Sequence, residues 1–363
     1  MPISAVDAIG PAFEHTRQQL LKPFRLNQWG KLALVGFLTG ELSGGGCSMP
    51  SIPRIPYNRD HSQNLFAPFE ELNLPHLDPK TMVLAVALSL VGILVLGLLF
   101  VYLNSVMRFV LFDSVIEKQC EIGRSWRRRH DAGMRFFFWQ ISLALITWGI
   151  ILVLIGIPAF IGLGLGWFSH PGDHLLPLIF GGIFAFVFFS LLMVVTLVVT
   201  VLTKDFVVPQ MALENIGAME GWRRLLPMMK AERGGYAGYI GMKIVLALGA
   251  VILFGIVSAI AILFMLIPAA AMGGVVLLTG KAAGMTWTLY TITAAVVAGS
   301  IAILVMLYVV SFVSVPGIVF FPAYSLYFFA ARYPALSAVL YPALPAPPAP
   351  VLPPFLPPPE PIG

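Results

Sequence analysis

The chain has 363 residues, of which 58% are hydrophobic and only 11% are charged, and its formal net charge is +5. A soluble domain carries roughly 25% charged residues, so this composition excludes an ordinary soluble protein. Each of five stretches without Lys, Arg, Asp or Glu exceeds the ~20 apolar residues that span a membrane. These stretches are residues 81–107, 136–172, 174–203, 244–280 and 282–331. The sequence therefore predicts a polytopic membrane protein.

The predicted fold is all-α: a transmembrane helical bundle of about six spans with repeated cytoplasmic amphipathic interfacial helices. Only helices or closed barrels satisfy the backbone in lipid, and the alternation typical of strands is absent. Glu41 and the glycines Gly44–Gly46 make the first span the weakest. The expected spans are Lys31 to about Cys47, 82–104, Phe136 toward Pro158, 176–203, 242–266 and 286–313.

Prolines and aromatic residues predict where these spans end. Pro158 is expected to end or kink the third span and Pro268 to break the fifth, because proline removes a backbone donor. Pro316–Gly317 is expected to halt the sixth span. The aromatic stretch that follows, IVFFPAYSLYFFAARYP (318–334), is expected at the membrane interface, where Tyr and Trp are enriched.

Lys and Arg are concentrated on one side of this predicted topology. Of the 22 basic residues, 18 lie in the N-terminal segment, in two basic islands and at Arg332. The first island runs from Arg108 to Arg135, and the second runs from Asp205 to Lys243, with Lys204 beside it. The positive-inside rule then predicts a multi-pass protein of the cell membrane with both termini in the cytoplasm. This positive charge is topogenic and does not indicate nucleic-acid binding.

The two islands share a pattern that predicts an internal repeat. RFVLFDSVIE (108–117) and DFVVPQMALE (205–214) each follow a span, and SWRRR (125–129) resembles GWRRL (221–225). The predicted organisation is a membrane domain, 1–336, with approximate repeats at about 12–109, 110–207 and 208–316, followed by a Pro-rich tail, 337–363. Eleven of the twenty residues from Pro342 to Pro361 are proline, which is typical of a flexible polyproline-like extension.

The islands also provide the candidate binding surface. Amphipathic basic helices lie in the headgroup plane, with their cations facing anionic lipid. The predicted lipid-headgroup contacts are Trp126, Arg127, Arg128, Trp222, Arg223 and Arg224. The simpler interpretation, which we favour, is topogenic charge with nonspecific lipid contact.

Two other polar features are weaker candidates for a functional site. The turn HPGDH places His170, Asp173 and His174 at a spacing that suits a divalent metal. Short turns between spans commonly carry such residues for solubility, so no metal site is predicted. Glu41 lies within an apolar segment and is a functional candidate by default, although snorkelling to nearby water is the simpler expectation.

No cofactor or catalytic residue is predicted. Gly274–Lys281 resembles a phosphate loop, but it has five residues between its glycines and Ala282 where Ser or Thr should follow. Cys47 and Cys120 are expected on opposite membrane faces, so no disulfide is predicted.

Several segments carry a family resemblance: the opening PFRLNQWGKLAL, the span ends RFVLFD and DFVVPQMALE, the WRR steps, and FFPAYSLYFFAARYP. In these segments the chain resembles a loose group of uncharacterised bacterial membrane proteins. It is similar to the membrane domain attached to some glycerophosphodiester phosphodiesterases, over about residues 12–336. No phosphodiesterase domain is present, so the resemblance carries over no catalytic residue. It implies an accessory role near lipid metabolism or envelope biogenesis.

Three functions are therefore open. We favour a non-enzymatic accessory or scaffold component of the cell envelope or of lipid metabolism, because chemistry-bearing groups are missing. The alternatives are a transporter or flippase-like carrier and an enzyme acting on lipid headgroups at the cytoplasmic interface. A water-accessible cavity between the repeats would favour the carrier, and a solid apolar interior the scaffold. The expected partners are membrane lipids, including anionic headgroups, and a membrane protein, with no nucleic acid.

Overall fold

The computed structural model describes residues 4–41, 79–167, 172–282 and 289–341. Within these ranges the regular structure is entirely helical, which confirms the predicted all-α class. The helices are α1 (Ile9–Leu21), α2 (Leu26–Thr39), α3 (Pro79–Ile116), α4 (Ile122–Ile151), α5 (Ile157–Gly164), α6 (Leu175–Leu202), α7 (Val208–Glu214), α8 (Ala218–Ala231), α9 (Arg233–Ala282), α10 (Leu289–Val313), α11 (Val315–Ala330) and α12 (Pro334–Leu340). Single π-helical turns, Leu152–Gly156 and Thr203–Val207, join α4 to α5 and α6 to α7.

Five helical segments are long and apolar enough to cross a membrane, as expected for a multi-pass membrane protein. They are Val86–Ile116, Ile122–Gly164, Leu175–Glu214, Arg233–Pro268 and Thr293–Val313. Five of the six expected spans correspond to these segments. The fold class thus follows from runs of apolar residues that only a hydrocarbon solvent accommodates.

The first expected span is a shorter helix in the structure. α2 has 14 residues and ends before Gly40, whose left-handed φ of 69° terminates the helix. At 1.5 Å per residue such a helix measures about 21 Å, less than the ~30 Å hydrocarbon core. Residues 42–47, which complete the expected span, lie outside the described ranges.

Side-chain packing is concentrated at one end of the molecule, which we call the base. The base consists of α1, α2, α7, α8, α11, α12 and the adjoining ends of α3, α4, α6 and α9. By contrast, the most apolar window of each membrane-length segment is at most 6% buried. On α3, every described side chain from Val83 to Phe100 is exposed, a length of about 27 Å. The exposed length is close to the ~30 Å thickness of a hydrocarbon core, and the base begins beyond this exposed stretch.

α11 lies at the centre of the base, and the expectation that its aromatic residues lie at the membrane interface is wrong. Tyr324, Phe328 and Phe329 are fully buried. The rings of Phe206 and Phe329 pack at a tilt with centroids 5.2 Å apart, and the centroid of the Tyr239 ring lies 4.6 Å from that of Phe328. With 16 residues α11 is too short to cross a membrane, and a helix that is apolar all round is stable when other helices cover it.

Proline has different consequences at the far ends of two long helices. α9 continues through Pro268 to Ala282, so the expected break is wrong. Long apolar helices tolerate proline when local adjustments satisfy the freed carbonyl. Pro158 instead follows the π-helical turn Leu152–Gly156, the kind of local irregularity expected at a proline kink. At the sixth span, α10 ends at Val313, and Pro316 lies in the first turn of α11, as expected.

Candidate functional site

The first basic island closes the turn between α3 and α4 with ion pairs. Asp113, in the last turns of α3, is buried and accepts a hydrogen bond from Arg128 at 2.7 Å. It also accepts three from Arg129, at 2.9 to 3.2 Å. Arg128 reaches Glu117 as well, at 2.6 Å. The chain reverses at Lys118, whose φ is 55°.

The second island closes the turn between α7 and α8 in the same way. Arg224 pairs with Glu214 and, at 3.3 Å, with Glu220. The chain reverses at Asn215, whose φ is 54°. Tyr333 also donates a hydrogen bond to Glu214, so α12 packs onto the same turn.

α4 links the two islands directly. Arg129 donates a hydrogen bond to the carbonyl oxygen of Ala212, and Arg135 donates one to that of Asn215 at 2.5 Å. Carbonyls at a helix C-terminus have no intrahelical partner, and cations are favourable there. The guanidinium groups therefore satisfy the end of α7 while holding it against α4.

Trp126 and Trp222 occupy matching sequence positions but make different contacts. Trp126 packs edge-on to Tyr102, with ring centroids 6.0 Å apart. Trp222 donates its Nε1–H to Thr203 Oγ1 at 3.1 Å. On α8, exposed Met219 and Leu226 flank Trp222 at helical spacing, so this helix presents an apolar stripe on its outer surface.

The four predicted headgroup arginines fall into two groups. Arg128 and Arg224 are about half buried and engaged in the turns. Arg223 is 78% exposed and approaches Glu220 only at 3.4 Å. Arg127 is exposed, and no ion pair joins it to another described residue. The first pair therefore maintains the fold, while the second pair faces outward.

α1 and α2 hold the C-terminal end of α3 through three hydrogen bonds, two to carbonyl oxygens of α3 and one to that of Lys118 just after it. His15 Nε2 donates to Val115 at 2.8 Å, Gln19 to Ser114 at 2.8 Å and Gln28 to Lys118 at 2.9 Å. With the proton on Nε2, His15 Nδ1 accepts a hydrogen bond from the hydroxyl of Tyr327 at 3.1 Å. Burial lowers the pKa of His15, which keeps the ring neutral.

A second charged site, which sequence reasoning missed, lies where the base meets the membrane-length segments. Glu41 Oε1 accepts a hydrogen bond from Arg108 Nη1 at 2.8 Å and lies 3.7 Å from Lys204 Nζ. Asp205 accepts hydrogen bonds from Lys243 at 2.5 Å and from Tyr239 at 2.9 Å. We call Glu41, Arg108, Lys204, Asp205 and Lys243 the junction cluster.

The expectation that Glu41 snorkels to water is therefore wrong. Glu41 is only 9% exposed, and it is stabilised by the adjacent cations instead of by solvent. The sequence does contain a signal for the three cations of the junction cluster. Arg108, Lys204 and Lys243 each border a long uncharged stretch, so each is the first charge at the end of that stretch which faces the base.

The junction cluster lines a cavity of about 50 Å³. A second, apolar crevice of about 110 Å³ lies between α6 and α9, and Val201 and Lys243 line both spaces. The charged cavity thus adjoins an apolar space on the membrane side.

The candidate metal turn is only partly described. His170 lies outside the described ranges, and the described residues contain no group of three His, Cys, Asp or Glu side chains suited to a metal. Cys120 is buried with a free thiol, and Cys47 lies outside the described ranges.

Comparison with known proteins gives a family but no relative of known activity. Neither a curated protein nor a solved structure matches the chain. A family of unknown function, DUF7544, matches residues 3–339, a range that includes the islands, the junction cluster and all twelve helices except the last residue of α12. The chain therefore belongs to the DUF7544 family.

Proposed function

We propose that this protein is a non-enzymatic membrane protein that serves as an accessory or scaffold component of the cell envelope or of lipid metabolism. The observation that carries the proposal is the contrast between the packed base and the bare membrane-length segments. Apolar helices without partners need a covering of lipid or of other helices. The resemblance to phosphodiesterase-linked membrane domains supports the association with lipid metabolism.

The base and both termini lie in the cytoplasm in this proposal. The base holds nearly all the described Lys and Arg residues, while Lys80 and Lys281 belong to the opposite ends of α3 and α9. An excess of this size on one side supports a cytoplasmic base by the positive-inside rule.

Three approximate repeats, about 12–109, 110–207 and 208–316, are also part of the proposal. The two left-handed turn residues, Lys118 and Asn215, are 97 residues apart, the same spacing as the Phe-Val pairs of the two islands. In each turn the arginine two residues after the matching Trp, Arg128 or Arg224, reaches back to a glutamate. This shared geometry supports the first two units.

The outward-facing arginines, Arg127 and Arg223, are the residues that we propose to contact anionic lipid headgroups. The apolar stripe of α8 supports this assignment, because it would place Arg223 beside the bilayer surface. A double Arg→Lys variant at these two positions keeps the charge but removes bidentate phosphate binding. We expect it to copurify with less anionic lipid while keeping its membrane orientation, measured by lipid mass spectrometry and protease protection.

The matched variant carries Arg→Lys at Arg128 and Arg224. Because these residues close turns, we expect this variant to lose thermal stability. Unchanged lipid content in the Arg127 and Arg223 variant would leave topogenic charge as the role of these residues.

Photo-crosslinking tests the scaffold role. A benzophenone amino acid is placed at Phe184 on α6 or at Ile252 on α9, both exposed apolar positions, and as a control at exposed Lys230 in the base. A scaffold should give the same protein adduct from Phe184 and Ile252, identified by mass spectrometry and absent from the Lys230 control. Adducts with lipid alone at both membrane positions would contradict the scaffold role.

A carrier is the second candidate, favoured by a crevice of about 450 Å³ between α3, α4 and α6, whose mainly apolar wall also carries several polar side chains. Its polar lining includes Asn104, Gln140, Thr147, Thr196 and Thr200. In vesicles that contain the purified protein and a fluorescent anionic lipid, a carrier would speed movement of the lipid between leaflets. If the protein is a scaffold, the lipid should move between leaflets at the rate measured in protein-free vesicles.

A further inference from the structure

We propose that the junction cluster binds the phosphate group of an anionic phospholipid, whose acyl chain lies in the crevice between α6 and α9. This site does not include the proposed headgroup residues Arg127 and Arg223, and it requires only that the chain lies in a membrane. It therefore stands independently of the scaffold role.

The first argument is charge. The described residues that line the cavity carry three cations, Arg108, Lys204 and Lys243, and two carboxylates, Glu41 and Asp205. Their side chains are 7 to 16% exposed. Three cations around one cavity favour an anionic ligand, because hydrogen bonds from cations to a phosphate are strong. A phosphodiester carries one negative charge.

The second argument is an unused donor. Arg108 donates Nη1–H to Glu41 and Nη2–H to the carbonyl of Thr39. Its Nε is buried and has no hydrogen-bond partner among the described residues. A buried donor without a partner costs roughly 1–3 kcal/mol, and a phosphate oxygen in the adjoining cavity would satisfy it.

The size of the cavity suits this group. A water molecule needs roughly 10–15 Å³ of such space, so about 50 Å³ accommodates only a few oxygen atoms. That is enough for a phosphate group and too little for a bulky headgroup, whose remaining atoms would extend out of the cavity.

The third argument is the level of the site in the membrane. The exposed apolar positions of α3 end at Phe100, two turns before Arg108, and those of α6 end at Leu197, two turns before Lys204. Those of α9 begin at Ile244, next to Lys243. Three helices thus bring their cations to the boundary of the hydrocarbon core, which is where lipid phosphates lie.

The fourth argument favours a lipid over a free anion. Val201 and Lys243 line both the charged cavity and the apolar crevice, so the two spaces are adjacent. The crevice continues toward the membrane along Leu197 and Ala247. A phosphate group with an attached acyl chain would use both spaces, whereas a free anion would occupy only the charged cavity.

The charge arm of the test compares Lys204→Gln with Lys230→Gln in the full-length protein. Both variants lose one positive charge, but Lys230 is exposed on α8, away from the cavity. Titration with phosphatidylglycerol, followed by native mass spectrometry, should show at least about tenfold weaker binding by Lys204→Gln, since charge-assisted hydrogen bonds are strong. Lys230→Gln and the charge-keeping Lys204→Arg should bind within about twofold of the wild type. Equal binding by Lys204→Gln and Lys230→Gln would overturn the proposal.

The acyl-chain arm compares Ala247→Phe, which fills the crevice, with Ala259→Phe at an exposed position on the same helix. Ala247→Phe should weaken phosphatidylglycerol binding several-fold and leave binding of inorganic phosphate, measured by calorimetry, unchanged. Ala259→Phe should change neither. If Ala247→Phe retains full phosphatidylglycerol binding, the acyl-chain assignment is wrong and free phosphate is the ligand. Neither arm depends on a protein partner, so the crosslinking experiment can fail while this proposal holds.

Discussion

Asp113 shows how much of the base depends on single polar residues. Its carboxylate is 3% exposed and receives hydrogen bonds from two arginines. One of these, Arg129, also holds the end of α7. A single buried carboxylate therefore connects α3, α4 and α7, which belong to different proposed repeats.

Replacing Asp113 with Asn should destabilise the protein by about 3 kcal/mol, because it leaves the partly buried Arg129 without its countercharge. The measurement is the thermal unfolding of the purified protein in detergent. Glu121→Gln is the matched control, because Glu121 pairs with Arg124 at an exposed position, where such pairs contribute about 0–1 kcal/mol. Equal effects of the two substitutions would show that burial of the pair is unimportant.

His15 should make the stability of the base dependent on pH. Burial lowers the pKa of His15 below its ordinary value of about 6.5, so the unfolded chain binds the proton first as pH falls. The stability that the neutral ring contributes is full above about pH 6.5 and is lost as pH decreases through the lowered pKa. We expect the melting temperature to fall between pH 7.5 and pH 5.5, and to fall less in His15→Gln.

Exposed His130 provides the comparison. The variant His130→Gln should keep the pH dependence of the wild type. A His15→Gln profile that parallels the wild-type profile would assign the effect to other groups.

At the scale of elements, the close approach of α3 and α4 depends on a glycine. A Cβ added at Gly133 would lie 2.7 Å from Val106 Cγ2 and 3.0 Å from the Val106 backbone. Small residues at such positions allow membrane helices to pack closely. Because the backbone of α3 cannot yield as a flexible side chain does, this contact sets the distance between the two helices.

Gly133→Ala should therefore destabilise the protein by about 1–3 kcal/mol, the usual cost of overpacking. Gly149→Ala, on the same helix, has open space around the added methyl group, and helix propensity alone would make it neutral or slightly stabilising. Thermal unfolding of the two variants measures the difference. A stable Gly133→Ala protein would show that α4 can shift away from α3 at little cost.

At the scale of the whole molecule, the end of α2 and the start of α3 lie far apart. Glu41 is held beside Arg108. Pro79, the first residue of α3, precedes Arg108 by 29 residues on the same helix, which is roughly 44 Å at 1.5 Å per residue. Glu41 and Pro79 therefore lie at opposite ends of α3.

Reporter fusions test the resulting topology. A fusion at His174, before α6, and one at Pro68 should report the external side, and a fusion at Ala218, at the start of α8, the cytoplasm. An external signal at Ala218 would invert the proposed orientation of the base. An internal signal at Pro68 would contradict the expectation that the segment from Lys31 to about Cys47 crosses the membrane.

The sequence by itself determined the helical class and the five membrane-length segments. In hydrocarbon only a helix or a closed barrel satisfies the backbone, so a long uncharged run without the alternation of a strand indicates a membrane helix without any tertiary contact. The end of the sixth span near Pro316 could be predicted for a similarly local reason, since proline restricts its own backbone and that of its neighbours.

Only the tertiary structure decided what covers each apolar helix and which charges pair. The aromatic surface of α11 is compatible with lipid or with protein, and its burial depends on α1, α2 and the ends of α3, α6 and α9. Glu41 and Arg108 are 67 residues apart in the chain, and no local pattern indicates that they meet. Their pairing requires α2 to end beside the point where α3 leaves the membrane, because buried charges are stable only when a countercharge lies within contact distance.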